Sequence, residues 1–209
     1  MSPRTANPAI ADALVDVGAR LIAERVPLST RRLAAEVGTS TSAVYTHFGS
    51  MDELRGAIRK VGFGRLAEHL RRCEVTDDPV ADLVKQGWAY CRNARVNPNM
   101  YRAMFMEPAA ATDAEVGLYT FQMLVDGNQR AIDEGRFEDQ GAWEMATRLW
   151  ASTHGTVALH LAGMFDAAKV DQLTAELARA LFISFGDDPA STDASFEKAT
   201  EWIVGQLAS

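Results

Sequence analysis

In the stretch "VGTSTSAVYTHFGS" four hydroxyl side chains follow one glycine, and a phenol and an imidazole follow them. Thr39, Ser40, Thr41 and Ser42 are short enough to let a backbone approach a phosphate oxygen or a base edge and can hydrogen-bond to either. Tyr45 and His47 reach further along the same exposed face. The chemistry that fits this set is recognition of a polyanion. Covalent chemistry has no comparable footing. The histidines His47, His69, His154 and His160 form no HExxH pair, and the sequence has no glycine-rich nucleotide loop. His154 and His160 lie six apart, which is not a same-face ligand spacing on a helix. His154 therefore reads first as a hydrogen-bonded packing residue, with ligand sensing as the lesser alternative. Cys73 and Cys91 are far apart and in no CxxC pattern, so neither a disulfide framework nor a zinc site is expected. No catalytic residue, metal or cofactor is expected, and the chain does not read as an enzyme.

These groups need elements to position them, and the apolar pattern is helical nearly throughout. Ile10, Leu14, Val17, Leu21 and Ile22 recur at helical spacing up to Pro27. Ser29 is a good N-cap for a short helix ending at Gly38, and Ser40 caps a third helix running to about His47. Ser50 and Glu53 match a capping box that opens a longer helix through Leu54, Ile58, Val61, Leu66 and Leu70. Two short helices around a tight turn, after a supporting helix, make a helix-turn-helix. Ala34 is small where the helices cross, Gly38 supplies the turn, and Val44 faces back toward Leu33, Val37 and Phe48. Beyond Cys73, punctuation predicts helices from Asp78-Pro79 to before Pro98, between the prolines of "NPNMYRAMFMEP", and over 113–134, 139–165, 170–185 and 193–207.

The overall charge of −7 conceals an asymmetry. Residues 1–72 carry eleven Lys/Arg against seven Asp/Glu, and the remainder ten against twenty-one. A basic first third on an acidic body suits a local polyanion contact, although chance explains so modest a difference equally well. No apolar run approaches the roughly 20 residues of a membrane span, and "MSPRTANPAIADAL" lacks the apolar core of a secretory signal. The expected setting is cytoplasmic, without a membrane partner.

The segment "LAAEVGTSTSAVYTHFGSMDEL" resembles the DNA-binding signature of the TetR (tetracycline-repressor) family of transcriptional regulators, a likeness covering Asn7 to about Leu70. "NPNMYRAMF" and "LWASTHG" resemble motifs of family members with a WHG-type C-terminal domain, whose Trp, His and Gly match Trp150, His154 and Gly155. One departure is clear: Met51 stands where the family usually has a phosphate-contacting lysine, leaving Arg31, Arg32, Arg55 or the helix N-termini to substitute. The resemblance implies an all-α protein. A three-helix helix-turn-helix DNA-binding domain over residues 7–53 would join a helical ligand-binding and dimerisation domain over 54–209. It also implies a homodimer on a palindromic, double-stranded DNA operator, most readily a repressor released by a small molecule. The alternative is an all-helical enzyme or interaction module with an incidental helix-turn-helix.

The candidate DNA-contacting set is Ser29, Thr30, Arg31, Thr39, Ser40, Thr41, Ser42, Tyr45, Thr46, His47 and Ser50. The candidate effector set is Trp88, Tyr101, Met104, Phe105, Tyr119, Phe121, Met123, Trp150 and His154, because aromatics and methionines spread over several helices line apolar pockets as well as ordinary cores. The acidic, apolar character of that half favours an apolar or cationic effector. Dimerisation is expected through helices 139–165 and 193–207, on the strength of Trp143, Trp150, Phe196, Trp202 and Ile203.

Overall fold

The computed structural model describes residues 7–105 and 114–208, and these form ten helices with no strand among them. They are α1 (Pro8–Ala23), α2 (Thr30–Val37), α3 (Thr41–Phe48), α4 (Met51–Arg71), α5 (Pro79–Val96), α6 (Pro98–Phe105), α7 (Ala114–Asp133), α8 (Ala142–Leu161), α9 (Ala167–Ser184) and α10 (Pro189–Ala208). The all-α expectation holds. The end of the "NPNMYRAMFMEP" segment and the expected helix start at Asp113 lie outside the described residues.

The early boundaries follow the local chemistry closely. Asn7 caps α1 by accepting from the Ala9 N–H at 3.1 Å, Ser29 caps α2 through Arg32, and Ser40 caps α3 through Ala43. The later helices start differently. Asp166 accepts from the Lys169 N–H at 2.8 Å and begins α9 at Ala167, ahead of the expected 170. Asp188 accepts from the Ser191 N–H at 2.8 Å, so α10 begins at Pro189 rather than 193, with proline at the first helical position where its missing donor is harmless.

Two compact units result: Met1–Arg65 with Val96–Leu118, and Leu66–Arg95 with Tyr119–Ser209. In the first, α1 packs on α2, α3 and α6. Leu14, Leu21, Leu33, Val44, Leu54 and Ile58 are buried to within 1% of completely, each contributing roughly 1.5–3 kcal/mol of hydrophobic stabilisation. Gly18 presses on Ile58, and Gly62 of α4 presses on Met104 and Met100 of α6. The helix α6 thus packs within the first unit although it follows α5 in the chain.

The second unit is built on Val80, Leu83, Ala131, Phe137, Met145, Leu149, Phe182 and Phe185. Phe137 stacks on Phe182 at 5.6 Å and meets Phe185 edge-on at 5.5 Å. A buried ionic network lies in the same unit. Arg136 donates to both carboxylate oxygens of Asp187, at 2.7 and 2.9 Å, and to Asp78 at 3.1 Å. Ser195 and Lys198 also donate to Asp78. Burial would raise the Asp78 carboxyl, but the Ala81 N–H, Lys198, Ser195 and Arg136 outweigh it and hold it at about 2. Asp82 is held low in the same way by Lys85, Thr76 and Arg130.

Candidate nucleic-acid interface

The turn between α2 and α3 needs Gly38 at φ 72°, in the left-handed region that only glycine enters freely. That conformation ends α2 and lets Ser40 start α3 two residues later. Leu33, Ala34 and Val44 are buried beneath the turn, as their spacing predicts, while Val37 and Phe48 are half-buried.

This packing turns Thr41, Ser42, Tyr45 and Thr46 outward, and all four are exposed. Tyr45 is 53% exposed, a high value for a large ring. His47 is half-buried, its ring 6.1 Å from that of Phe48. Thr39 is also half-buried.

The hydroxyls divide by task. Ser29, Ser40 and Ser50 accept from the N–H groups of Arg32, Ala43 and Glu53 at 3.3, 3.2 and 3.1 Å, so they hold the helix starts. The Ser42 hydroxyl lies 2.8 Å from that of Ser40, and Thr46 donates to the Ser42 carbonyl at 2.9 Å. Thr41 and Ser42 sit on the first turn of α3, where backbone N–H groups lack intrahelical acceptors and the helix dipole favours an anion. Arg31 is exposed on the first turn of α2 beside half-buried Thr30. Met51, in place of the usual lysine, is half-buried at the first position of α4. The candidate contacts therefore fall at the starts of α2, α3 and α4 and along the rest of α3, all within the first unit.

The candidate effector residues divide between the two units. Tyr101 and Met104 are buried in the first unit, where Tyr101 lies 4.8 Å from Phe105 and Phe105 meets Phe63 edge-on at 5.6 Å. Arg59 donates to the Met104 carbonyl at 2.7 Å. The others belong to the second unit. Trp88 meets Trp202 edge-on at 5.8 Å and carries the Arg92 guanidinium over its ring. Tyr119 is 54% exposed and lies under Arg71. Met123 is half-buried. Phe121, Trp150 and His154 form a contiguous row, with ring centroids 6.2 and 5.2 Å apart in turn.

Two further members of that row escaped the sequence reading of the effector set. Trp143 lies 4.7 Å from Phe121, and the Tyr90 hydroxyl lies 2.9 Å from His154 Nδ1. Trp143 sits seven residues before Trp150, a same-face spacing that could have flagged it; Tyr90, on another helix, had no local signal. Burial pushes the His154 imidazole below its ordinary value, which keeps it neutral. It pushes the thiols of Cys73 and Cys91 up to about 11, disfavouring thiolate chemistry at both.

A capped, hydroxyl-bearing helix start beside a glycine turn, with an exposed tyrosine one turn on, defines a helix-turn-helix DNA-binding protein. Residues 14–58 match the family described as "Bacterial regulatory proteins, tetR family", and residues 83–181 match that described as "Tetracyclin repressor-like, C-terminal domain". The chain belongs to the TetR family of ligand-responsive transcriptional regulators. It is 27% identical over 153 residues to the uncharacterized HTH-type transcriptional regulator Rv0681 of Mycobacterium tuberculosis, covering 72% of this chain and 68% of that one. A protein of unknown function from Rhodococcus sp. RHA1 has a similar structure, with a TM-score of 0.72 and 26% identity over 84% of this chain and 95% of that one. The TetR family transcriptional regulator PfmR from Thermus thermophilus shares the fold at a TM-score of 0.65 and 18% identity, covering 81% and 96%. Among the described residues no helix is long and apolar enough to cross a membrane.

Proposed function

We propose that this regulator is a repressor that binds a palindromic operator as a homodimer and is released by a small-molecule effector. The observation that carries the DNA-reading part is the exposed start of α3, where Thr41, Ser42 and Tyr45 face outward from a turn fixed by Gly38. Residues 7–53 act as the reading head and residues 54–209 as the regulatory body, with no catalytic step assigned to either.

The dimer reading rests on apolar surface. Trp143 and Leu159 of α8 and Leu177 of α9 are exposed, and α8 packs on α9 within one chain. Phe196 and Trp202 of α10 are engaged inside their own unit, with Phe182 and Trp88, while Val204 and Leu207 of the same helix are exposed, so α10 keeps apolar surface for the expected interface with α8. Two helices from each subunit form a four-helix interface. A gel shift on the DNA upstream of the chain's own gene tests the reading. The expected result is a discrete complex that survives competitor DNA and physiological salt. Only weak, salt-sensitive binding to any duplex would instead mark an incidental helix-turn-helix.

A further inference from the structure

The helix α3 lacks the groups that read bases two hydrogen bonds at a time. Its eight residues include no arginine, lysine, asparagine, glutamine or carboxylate, the side chains that pair most specifically with guanine, adenine or cytosine edges. Thr41, Ser42, Tyr45 and Thr46 make one exposed row at helical spacing, turned away from buried Val44. His47, half-buried beside Phe48, lies off that row, and Arg31 and Arg32 belong to α2. Two of the three small hydroxyls on the row are already engaged. The Thr46 hydroxyl donates to the Ser42 carbonyl at 2.9 Å, and Ser42 Oγ lies 2.8 Å from Ser40 Oγ. Thr46 spends its one proton on the backbone, so what this exposed side chain keeps for a partner is a γ-methyl and an accepting oxygen. Thymine is the base that carries an apolar group, its 5-methyl, into the major groove.

We infer that the base pairs beneath α3 are read through thymine methyl groups, and that Thr46 is a specificity-determining residue whose γ-methyl packs against one of them. This rests on the operator-binding reading and adds which base chemistry the operator must present. Threonine in a helix divides between two rotamers, one of them set by a bond from its hydroxyl to the preceding turn. The bond to the Ser42 carbonyl selects that rotamer and holds the methyl in one place before DNA arrives. Cytosine, adenine and guanine offer no methyl there, and a methyl pressed on their polar edges would strip water from donors and acceptors without replacing it.

The test uses the full-length protein and the duplex that it enriches from a random pool. Each thymine of that duplex is replaced in turn by deoxyuridine, which lacks the 5-methyl and keeps every hydrogen-bonding group, and affinity is read by fluorescence anisotropy. At one thymine of each half-site the replacement weakens binding about fourfold, the worth of one buried methyl. Thr46→Ser, which keeps the hydroxyl and drops the methyl, weakens the thymine duplex by a similar factor and no longer distinguishes thymine from deoxyuridine at that position. That loss of distinction separates the contact from any general effect of deoxyuridine on the duplex. Thr46→Val, which keeps the methyl and drops the hydroxyl, retains the preference. Replacing the guanines by 7-deazaguanine, which lacks the N7 acceptor, changes affinity less than about twofold. Position 46 is exposed, and melting curves confirm that both variants are folded. No deoxyuridine effect above about twofold, a deoxyuridine effect that persists in Thr46→Ser, loss of the preference in Thr46→Val, or a larger loss from 7-deazaguanine than from deoxyuridine would each overturn the inference. A discrete complex indifferent to deoxyuridine sinks this inference alone, and a pool that yields no enriched site sinks the operator reading with it.

Discussion

Arg136, just past α7, grips Asp187, between α9 and α10, with two N–H groups at 2.7 and 2.9 Å, and the same guanidinium reaches Asp78 before α5 at 3.1 Å. Three chain segments distant in sequence are thereby tied at one point. Asp187 and Asp78 are only 4% and 5% exposed, so each carboxylate depends on its partners for the solvation it has lost.

Arg136→Met leaves both carboxylates buried and one guanidinium short. The expected loss is about 3–5 kcal/mol, read as a lower urea midpoint with little change in slope. A loss below about 1 kcal/mol would show that water or Lys198 replaces the arginine readily.

The same network sets an acid limit. Asp78 is held at about 2 in the folded protein against an ordinary 3.8, so protons bind the unfolded chain first. Its contribution is fully present above about pH 4 and disappears as pH falls from there toward 2. Urea melts at successive pH values should show stability dropping across that window. Asp78→Asn should be less stable at neutral pH and should flatten the drop; an unchanged pH slope in that variant would remove Asp78 from the account.

None of that network could be read from the sequence, and the reason is distance along the chain. Asp78 and Ser195 are 117 residues apart, and no local pattern reports such a pairing. Gly38, Ser29 and Ser40 were legible because a cap or a left-handed turn is decided by the residue itself and its next few neighbours. Pro189 misled for a related reason. "GDDPAST" has loop composition, yet Asp188 followed by proline is also a helix start, and only the packing of α10 decides between the two. The effector candidates were legible as residue types, but their division between the units was not, since only tertiary packing places Tyr101, Met104 and Phe105 of α6 in the first unit.

At the DNA interface, Tyr45→Phe removes one exposed hydroxyl and disturbs nothing buried, so helical content and melting should be unchanged. Operator affinity should fall, and if the hydroxyl contacts a phosphate whose counterions are displaced, the salt slope should become shallower by roughly one unit. His47→Ala should weaken binding and also cost some stability, because the imidazole is half-buried beside Phe48. Unchanged affinity in the double variant would remove both residues from the contact set.

Gly62 makes a different prediction, because it lies in the middle of α4, away from every candidate contact. A Cβ there would come within 2.5 Å of the Met104 side chain and 3.0 Å of Met100. Both methionines are at most 3% exposed, so neither can swing out to solvent, and Arg59 holds the Met104 carbonyl at 2.7 Å. Gly62→Ala must therefore displace the Met104 side chain, and the close packing around it passes that displacement to the α4–α6 contact. Since α4 runs unbroken from Met51 to Arg71, a shift at its middle alters how the reading head is carried. A twofold dimer needs its two α3 helices about 34–36 Å apart to enter successive major grooves, and a small change in carriage spoils that spacing. The expected outcome is an operator affinity lower by about tenfold, with the protein folded and the salt slope unchanged, because no phosphate contact has been removed. A shallower slope would mean that the substitution damaged the contacts themselves, and an unchanged affinity would mean that α6 does not set the position of α4.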